Sequence, residues 1–141
     1  MEREKAIDMA TELVKRSEIV MLGTNGSDGY PNVKAMLNVE AEGLNSFWLS
    51  TNTSSKRVKQ LLEDKRACLY FVDQESFIGL MLVGDIEVRQ DEAARKRLWS
   101  DGDERYYSLG VSDPDYSVLH FKATRGNLYH GLDNVNFELG E

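Results

Sequence analysis

Residues 66–90, RACLYFVDQESFIGLMLVGDIEVRQ, contain two apolar segments joined by a short polar turn. Residues 67–72 and 77–84 are apolar at successive positions, so both faces of each predicted strand would be hydrophobic. In an antiparallel barrel made of one chain, the outer face of each strand meets water and is polar. These two strands therefore need a cover. A helix could supply it, but two of the three predicted helices are short, so we predict that a second subunit covers them.

The rest of the sequence predicts helices alternating with groups of short strands. Apolar residues at three- and four-residue spacing indicate an amphipathic helix over residues 4–17. Ser54 or Ser55 can cap a second helix that ends near Asp64, and Asp91 can cap a third that runs through Trp99. Strands are predicted at 19–22, 30–42, 47–51, 66–73, 77–90 and 116–123, with residues 127–132 extending or pairing with the last, and a loop with a helical turn at 104–108 precedes it.

This order of elements predicts a single domain over residues 1–141. Its fold class is mainly β with flanking helices: an antiparallel barrel whose openings the helices close.

Composition excludes several classes of function. The net charge is −7, from 24 acidic and 17 basic residues, which argues against a broad nucleic-acid surface. The charged N-terminus lacks the apolar core of a signal peptide, and no apolar run approaches the roughly 20 residues that span a bilayer. We therefore expect a soluble, cytoplasmic protein.

Cysteine and histidine give no sign of a disulfide or a metal site. Cys68 is the single cysteine and lies within an apolar run, which predicts a buried small side chain rather than a reactive thiol. His120 and His130 lack the spacing and the carboxylate neighbours of a metal site. We expect no bound metal.

Residues 49–57, LSTNTSSKR, are the segment with the most suggestive chemistry. A predicted strand ends in hydroxyl residues, and a helix then begins with the cations Lys56 and Arg57 in its first turn. Cations are unfavourable there because the helix dipole already places positive charge at that end. Free backbone amides, serine hydroxyls and the two cations would together bind a phosphate. The alternative is a solvated, capped helix, and spacing alone leaves both open.

Lys34 is a second candidate, since it interrupts an otherwise apolar strand. Asn32 and Met36 share its face of the strand. An exposed strand lysine is the simpler explanation of the pattern alone. No Walker loop, dinucleotide-binding fingerprint or Gly-x-Ser-x-Gly motif is present in the sequence.

Three motifs in their order make the chain, from its first helix to about residue 131, resemble a known superfamily. They are Gly29-Tyr30-Pro31 followed three residues later by Lys34, the segment FWLST at 47–51 followed by Ser55-Lys56, and the strand end LVGDI at 82–86. The chain resembles the pyridoxamine 5′-phosphate oxidase-like FMN-binding split-barrel superfamily, especially its short bacterial members called general stress proteins. The resemblance implies an antiparallel split β-barrel with Greek-key connections that binds FMN between the subunits of a homodimer.

The resemblance also implies the roles of individual residues. Lys34 would meet the FMN phosphate from the second strand, and the backbone of Ala35, Met36 and Leu37 would lie against the isoalloxazine edge. The remaining positions carried over are Ser50 and Thr51 at the pyrimidine side or ribityl chain, and Ser55, Lys56 and Arg57 at the phosphate.

The activity implied is that of an FMN-dependent oxidoreductase using NAD(P)H or another electron donor on an unknown small-molecule substrate. Alternatives are a non-catalytic FMN carrier or stress-related flavin sensor, and a split barrel that binds haem or a deazaflavin. Pyridoxine phosphate oxidases hold their substrate with an arginine and a histidine two apart. Residues 126–130, GNLYH, contain no such arginine, so the resemblance does not extend to oxidation of pyridoxine phosphates. Tyr129 stands where the stress proteins often carry tryptophan.

Overall fold

The computed structural model describes residues 1–38 and 40–140 of the chain. Eleven regular elements lie in these ranges, together with two 3-10 turns at Asp103–Arg105 and Gly110–Ser112. In chain order they are α1 (Arg3–Arg16), β1 (Ile19–Asn25), β2 (Pro31–Leu37), β3 (Glu40–Glu42), β4 (Ser46–Asn52), α2 (Lys56–Glu63), β5 (Arg66–Asp73), β6 (Ile78–Arg89), α3 (Glu92–Leu98), β7 (Tyr116–His130) and β8 (Asp133–Glu138).

The described strands form one antiparallel sheet that curls into a split barrel. The strand order is β2-β1-β5-β6-β7-β4-β3, with β8 added to β7. β2 and β3 stand at opposite ends of this order, yet β2 ends at Leu37 and β3 begins at Glu40. A connection this short spans at most roughly 11 Å, so the sheet must bend round until its two ends almost meet. The predicted fold class, an antiparallel split barrel with flanking helices, is confirmed.

Apolar side chains fill the barrel, and two helices close it. α1 contributes Leu13 and Val14, and α2 contributes Val58 and Leu61. The barrel interior consists of large buried side chains from the strands: Leu22, Phe47, Leu49, Leu69, Phe71, Leu80, Leu82, Leu119, Phe121 and Leu128.

The third helix packs outside the barrel. Ala94 and Leu98 of α3 contact Trp48 and Val118, which lie on the outer face of β4 and β7. α3 therefore covers only this part of the outer surface, and its C-terminal end lies beside the end of β4.

The predicted helix starts are confirmed in detail. The Ser55 hydroxyl accepts a hydrogen bond from the Val58 amide at 3.3 Å, and the Asp91 carboxylate accepts one from the Ala94 amide at 3.2 Å. Both contacts cap the first turn of a helix, as the sequence pattern predicts.

One strand prediction is wrong, and one strand was not predicted. The strand predicted over residues 30–42 is two strands, because β2 pairs with β1 whereas β3 pairs with β4. The extension of the last predicted strand into residues 127–132 is confirmed as far as His130, whereas β8, which pairs with its second half, was missed. β8 reads DNVNFE, and its asparagines conceal the alternation of Val135 and Phe137.

The two strands predicted to be apolar on both faces do have an exposed apolar face. Leu69, Phe71 and Leu80 point into the barrel, whereas Tyr70 and Met81 are 41% and 38% exposed on the outside. We call this outer surface the apolar sheet face: it comprises Ile19, Met21, Val33, Ala35, Leu37, Tyr70, Val72 and Met81. No described helix covers it, so the second subunit stays a prediction.

Cys68 lies at the margin of the apolar sheet face and is half-buried rather than buried. Burial raises the pKa of its thiol. No group of three or more possible metal-ligating side chains occurs within residues 1–38 and 40–140. None of the helices described is long and apolar enough to cross a membrane.

Candidate functional site

A groove with a volume of about 650 Å³ opens between β2, β4, the start of α2 and the segment that follows α3. This volume lies within the usual range for sites that bind a small molecule or a cofactor. Its lining residues come from all these elements: Glu18, Ala35, Met36, Leu37, Asn38, Ser50, Thr51, Asn52, Arg57, Leu98, Ser100, Asp103, Tyr106 and Tyr107.

Six of the nine residues predicted for a cofactor site line this groove. They are Ala35, Met36, Leu37, Ser50, Thr51 and Arg57. The structure thus brings together two predicted segments, residues 35–37 and 50–57, that are separated in the sequence by β3 and most of β4. Curling of the sheet causes this, since it places β2 against β4.

The other three predicted residues lie around the groove rather than in its lining. Ser55 caps α2, as described above. Lys34 is exposed on β2, on the same face of the strand as Met36. Lys56 lines a neighbouring cleft together with Asp28 and Lys59.

Arg57 is the charged centre of the groove. Its Nη2 donates a weak hydrogen bond to the Thr51 hydroxyl at 3.4 Å, and its Nε is buried without a partner. No carboxylate oxygen among the described residues lies within 4 Å of its guanidinium group. A partly buried guanidinium without a counterion is a natural contact for an anionic group of a ligand.

The loop that leads into α2 is fixed by hydrogen bonds from the β7 side. The Asp115 carboxylate accepts a hydrogen bond from the Ser54 amide at 2.8 Å, and the Thr53 amide donates to the Asp115 carbonyl at 2.6 Å. The Ser55 amide donates to the Asn52 carbonyl at 3.0 Å. Within the described part of the chain, the amides of Lys56 and Arg57 are the donors left open at this helix N-terminus.

The wall opposite β2 was not predicted as part of a site. The end of α3 and the segment after it contribute Leu98, Ser100, Asp103, Tyr106 and Tyr107, which we call the tyrosine wall. The ring of Tyr107 lies 4.9 Å from that of Tyr116 on β7, and the Asp103 carboxylate accepts a hydrogen bond from the Ser100 amide at 2.9 Å. Burial, together with the nearby Asp115, raises the pKa of Tyr107, so its hydroxyl keeps its proton at neutral pH.

Glu18 and Asn38 complete the groove and were also missed. The Asn38 amide donates to the Glu18 carbonyl at 2.9 Å, which holds the end of β2 beside the start of β1. The Asn38 side-chain amide donates to the carbonyls of Val14 and Ser17, at 3.1 and 3.0 Å, and so ties this end of the groove to α1. The paired tyrosines among acidic residues were the one sequence signal for the tyrosine wall, whereas Glu18 and Asn38 gave none.

His120 lies outside the groove. Its ring stacks on Trp48 at 3.6 Å, and burial, assisted by the charge of Lys122, lowers its pKa. It packs as a neutral core side chain.

Comparison with known proteins relates this geometry to a family. The sequence profile described as pyridoxamine 5′-phosphate oxidase matches residues 7–130. A crystal structure from Clostridium acetobutylicum, of a protein related to general stress protein 26 of Bacillus subtilis (pyridoxinephosphate oxidase family), is 51% identical, with a TM-score of 0.88. The similarity covers 98% of this chain and 97% of that one. No curated protein matches the chain.

More distant structures share the fold. General stress protein 26 from Bacillus anthracis strain Sterne is 16% identical with a TM-score of 0.74, over 99% of this chain and 100% of that one. A heme-binding protein from Mycobacterium smegmatis is 19% identical with a TM-score of 0.78, over 98% of this chain and 60% of that one. Because the family profile spans most of the chain and the Clostridium structure shares half of its residues, this chain belongs to the pyridoxamine 5′-phosphate oxidase family.

Proposed function

We propose that this protein binds FMN in the groove and acts as a flavin-dependent oxidoreductase, with the flavin held at the interface of a homodimer. The observation that carries the proposal is Arg57, a partly buried cation in the groove without an ion-pair partner among the described residues. A phosphate group at this position would supply the missing counterion.

The start of α2 suits the phosphate of FMN. The open amides of Lys56 and Arg57 are available as donors, and the helix dipole adds positive charge at the same point. Lys34 would add a further charge from β2, as the family resemblance implies. The Lys56 side chain enters the neighbouring cleft, so its backbone amide is the better candidate for contact with the phosphate.

The groove beyond Arg57 suits the ribityl chain and the isoalloxazine ring. The Thr51 hydroxyl accepts from Arg57, so its own proton is available to a ligand, and Ser50 lies beside it on β4. Residues 35–37 offer an extended backbone edge and the side chain of Met36. When bound, the flavin would carry the redox chemistry, while these residues bind and orient it.

The apolar sheet face supports the dimer. Ala35, Met21, Tyr70 and Met81 lie directly opposite one another on four adjacent strands, so the face is continuous. Ala35 and Leu37 belong both to this face and to the groove lining. A second subunit packed on the apolar sheet face would therefore border the groove, which is why we place the flavin at the interface.

Titration with FMN and riboflavin tests the proposal, because the two ligands differ only in the phosphate. A charge-assisted hydrogen bond contributes roughly 1.5–3 kcal/mol, so Arg57→Ala should weaken FMN binding by about 10- to 100-fold and riboflavin binding far less. Lys59→Ala removes the same charge from the same helix without touching the groove lining, and should change neither affinity by more than about twofold. Lys56→Ala should have an effect between these two.

The same measurements separate the alternatives. Failure of the wild-type protein to bind either flavin would refute the proposal, and a Soret band in the purified protein would identify a haem protein instead. Equal loss of FMN and riboflavin binding in Arg57→Ala would show that Arg57 has a structural role. Tight FMN binding without turnover of any electron donor or acceptor, whether anionic, neutral or cationic, would identify a flavin carrier.

A further inference from the structure

We propose that the tyrosine wall and Glu18 make the groove selective for uncharged or cationic planar redox partners, such as quinones, against anionic ones. Phosphorylated pyridoxines and nicotinamide dinucleotides would belong to the disfavoured class. This inference rests on the proposed function, since it concerns the second ligand of the same groove.

Few cationic side chains line the groove. Among the described residues, Arg57 is the one lysine or arginine that lines it. The FMN phosphate would use this guanidinium, and a second phosphate would then have no lysine or arginine of the same subunit's groove lining to pair with. An anionic partner would have to give up its hydration without a compensating ion pair.

Carboxylates outnumber cations in the groove lining. Glu18 and Asp103 line the groove, and neither forms an ion pair with a described residue. Residues 99–115, which include most of the tyrosine wall, contain five carboxylates and a single cation, Arg105. Arg105 lies over the ring of Tyr106, 4.9 Å from its centre. The one nearby cation of α3 without an ion pair among the described residues is Arg95, which donates to the Tyr116 carbonyl at 3.1 Å. Because the carboxylates outnumber the cations here, we infer a negative electrostatic potential in this part of the groove.

The two charged regions are separated along β2. Glu18 lies beside Asn38 at the end of this strand, while Lys34 lies opposite Leu22. Four residues of strand span roughly 13 Å, which exceeds the screening length of about 8–10 Å at physiological salt. A phosphate that Lys34 meets, as proposed, would thus lie far enough from Glu18 for Glu18 to repel a second anion with little effect on the phosphate.

The aromatic side chains of the wall suit a planar ligand. Tyr107 is held between Tyr116 and Trp99, whose tilted rings lie 4.9 and 6.3 Å from its own, so this part of the wall is preformed. Tyr106 is largely exposed beside it. Flat aromatic molecules pack well against such rings. In the reaction, an uncharged or cationic organic donor would give two electrons and two protons to FMN and be oxidised. The reduced FMN would pass them to the quinone, which becomes the hydroquinone while FMN returns to its oxidised form.

Quenching of tryptophan fluorescence tests the negative electrostatic potential of the groove without any flavin. Trp99 reports on the tyrosine wall, and all proteins carry Trp48→Phe so that Trp99 is the single tryptophan. We expect iodide, relative to neutral acrylamide, to quench Trp99 about threefold more weakly in the parent than in the Glu18→Gln/Asp103→Asn variant. The Asp103→Asn change keeps a side-chain oxygen that can accept from the Ser100 amide. The control Glu4→Gln/Asp8→Asn removes two exposed charges from α1 and should match the parent.

A kinetic experiment then tests selectivity in the FMN-loaded protein. The protein is reduced without oxygen and mixed with two quinones of matched potential, one neutral and one sulfonated. At low salt we expect the neutral quinone to reoxidise the flavin about tenfold faster than the sulfonated one. The ratio should approach one at about 0.5 M salt, where screening is strong, and in Glu18→Gln/Asp103→Asn. The control variant should keep the parent ratio.

The outcomes distinguish this inference from the proposed function. If FMN is retained but both quinones react equally fast at low salt, the selectivity is wrong and the proposed function stands. If iodide quenches the parent as strongly as it quenches the double variant, the negative potential is absent and the inference fails. If no FMN binds, the proposed function fails and this inference fails with it.

Discussion

The partly buried guanidinium group of Arg57 is unfavourable without a bound anion, because it is desolvated. It becomes favourable when an anion binds, because it is charged. Its buried Nε has no partner, and leaving such a group unsatisfied costs roughly 1–3 kcal/mol. The fold nevertheless keeps this side chain in the groove lining, against the hydroxyl of Thr51. A bound phosphate would offset the cost, so we attribute the retention of this arginine to ligand binding rather than to stability.

The neighbouring cation shows the limit of sequence reasoning at this scale. The sequence predicted Lys56 and Arg57 together at one phosphate site, and of the two Arg57 lines the groove. Successive residues of a helix are about 100° apart, however, so their side chains leave the axis in different directions. Arg57 faces the groove and Lys56 faces the next cleft. Glu18 could not be predicted, because contacts distant in sequence bring it to the groove. For the tyrosine wall, the paired tyrosines among acidic residues were a signal, but the sequence did not show that they meet β4 and α2.

His120 predicts a pH dependence of stability. Burial, followed by the charge of Lys122 and Arg89, lowers its pKa in the folded protein, while Glu87 acts in the opposite direction. The unfolded chain therefore binds the proton more readily, and stability should fall as the pH decreases from about 6.5 towards the lower pKa of the folded state. His120→Phe, which can still stack on Trp48, should reduce this slope. Chemical unfolding at pH 5 to 8 measures it, and an unchanged slope in the variant would contradict the assignment.

At the scale of elements, the sequence predicted the helices and strands whose apolar residues recur with a clear period. α2, β5, β6 and α3 were placed within a residue or two of their observed ends. The break between β2 and β3 was missed because the chain remains extended there while its pairing partner changes. β8 was missed because its asparagines resemble a loop.

Gly126 allows a test of how β8 stabilises the barrel. A methyl group at this position would lie 2.5 Å from the ring of Phe137 on β8 and 3.1 Å from the side chain of Leu82. Overpacking of this kind typically costs about 1–3 kcal/mol, so we expect Gly126→Ala to lower the free energy of unfolding by that amount. Adding Phe137→Leu should recover part of the loss. If Gly126→Ala is neutral in a urea titration, β8 does not pack on β7 as described.

At the scale of the whole molecule, the apolar sheet face predicts a dimer. We expect one substitution on this face to dissociate it. Met81→Glu places a charge on the β6 side of this face and should convert the protein to monomers while weakening FMN retention. Leu80, its neighbour, points into the barrel and would test folding instead. The control Leu62→Glu adds the same charge at an exposed leucine of α2 and should leave the dimer intact. A monomeric Met81→Glu protein with normal FMN affinity would place the flavin away from the interface.

One feature of the sequence predicts a second subunit, namely the apolarity of residues 67–72 and 77–84 on both faces. The sequence could not show that Ala35 and Leu37 join the same face to the groove, because that depends on the register of β1, β2 and β5. The connection between the groove and the proposed subunit interface is therefore a product of the folded sheet.

Light scattering combined with absorbance on a sizing column tests whether the protein binds FMN as a homodimer, since it gives the mass and the flavin content of the same species. We expect a particle of twice the 16.0 kDa chain mass that carries one FMN per chain after incubation with FMN. A monomer of 16.0 kDa that elutes without flavin would contradict this expectation.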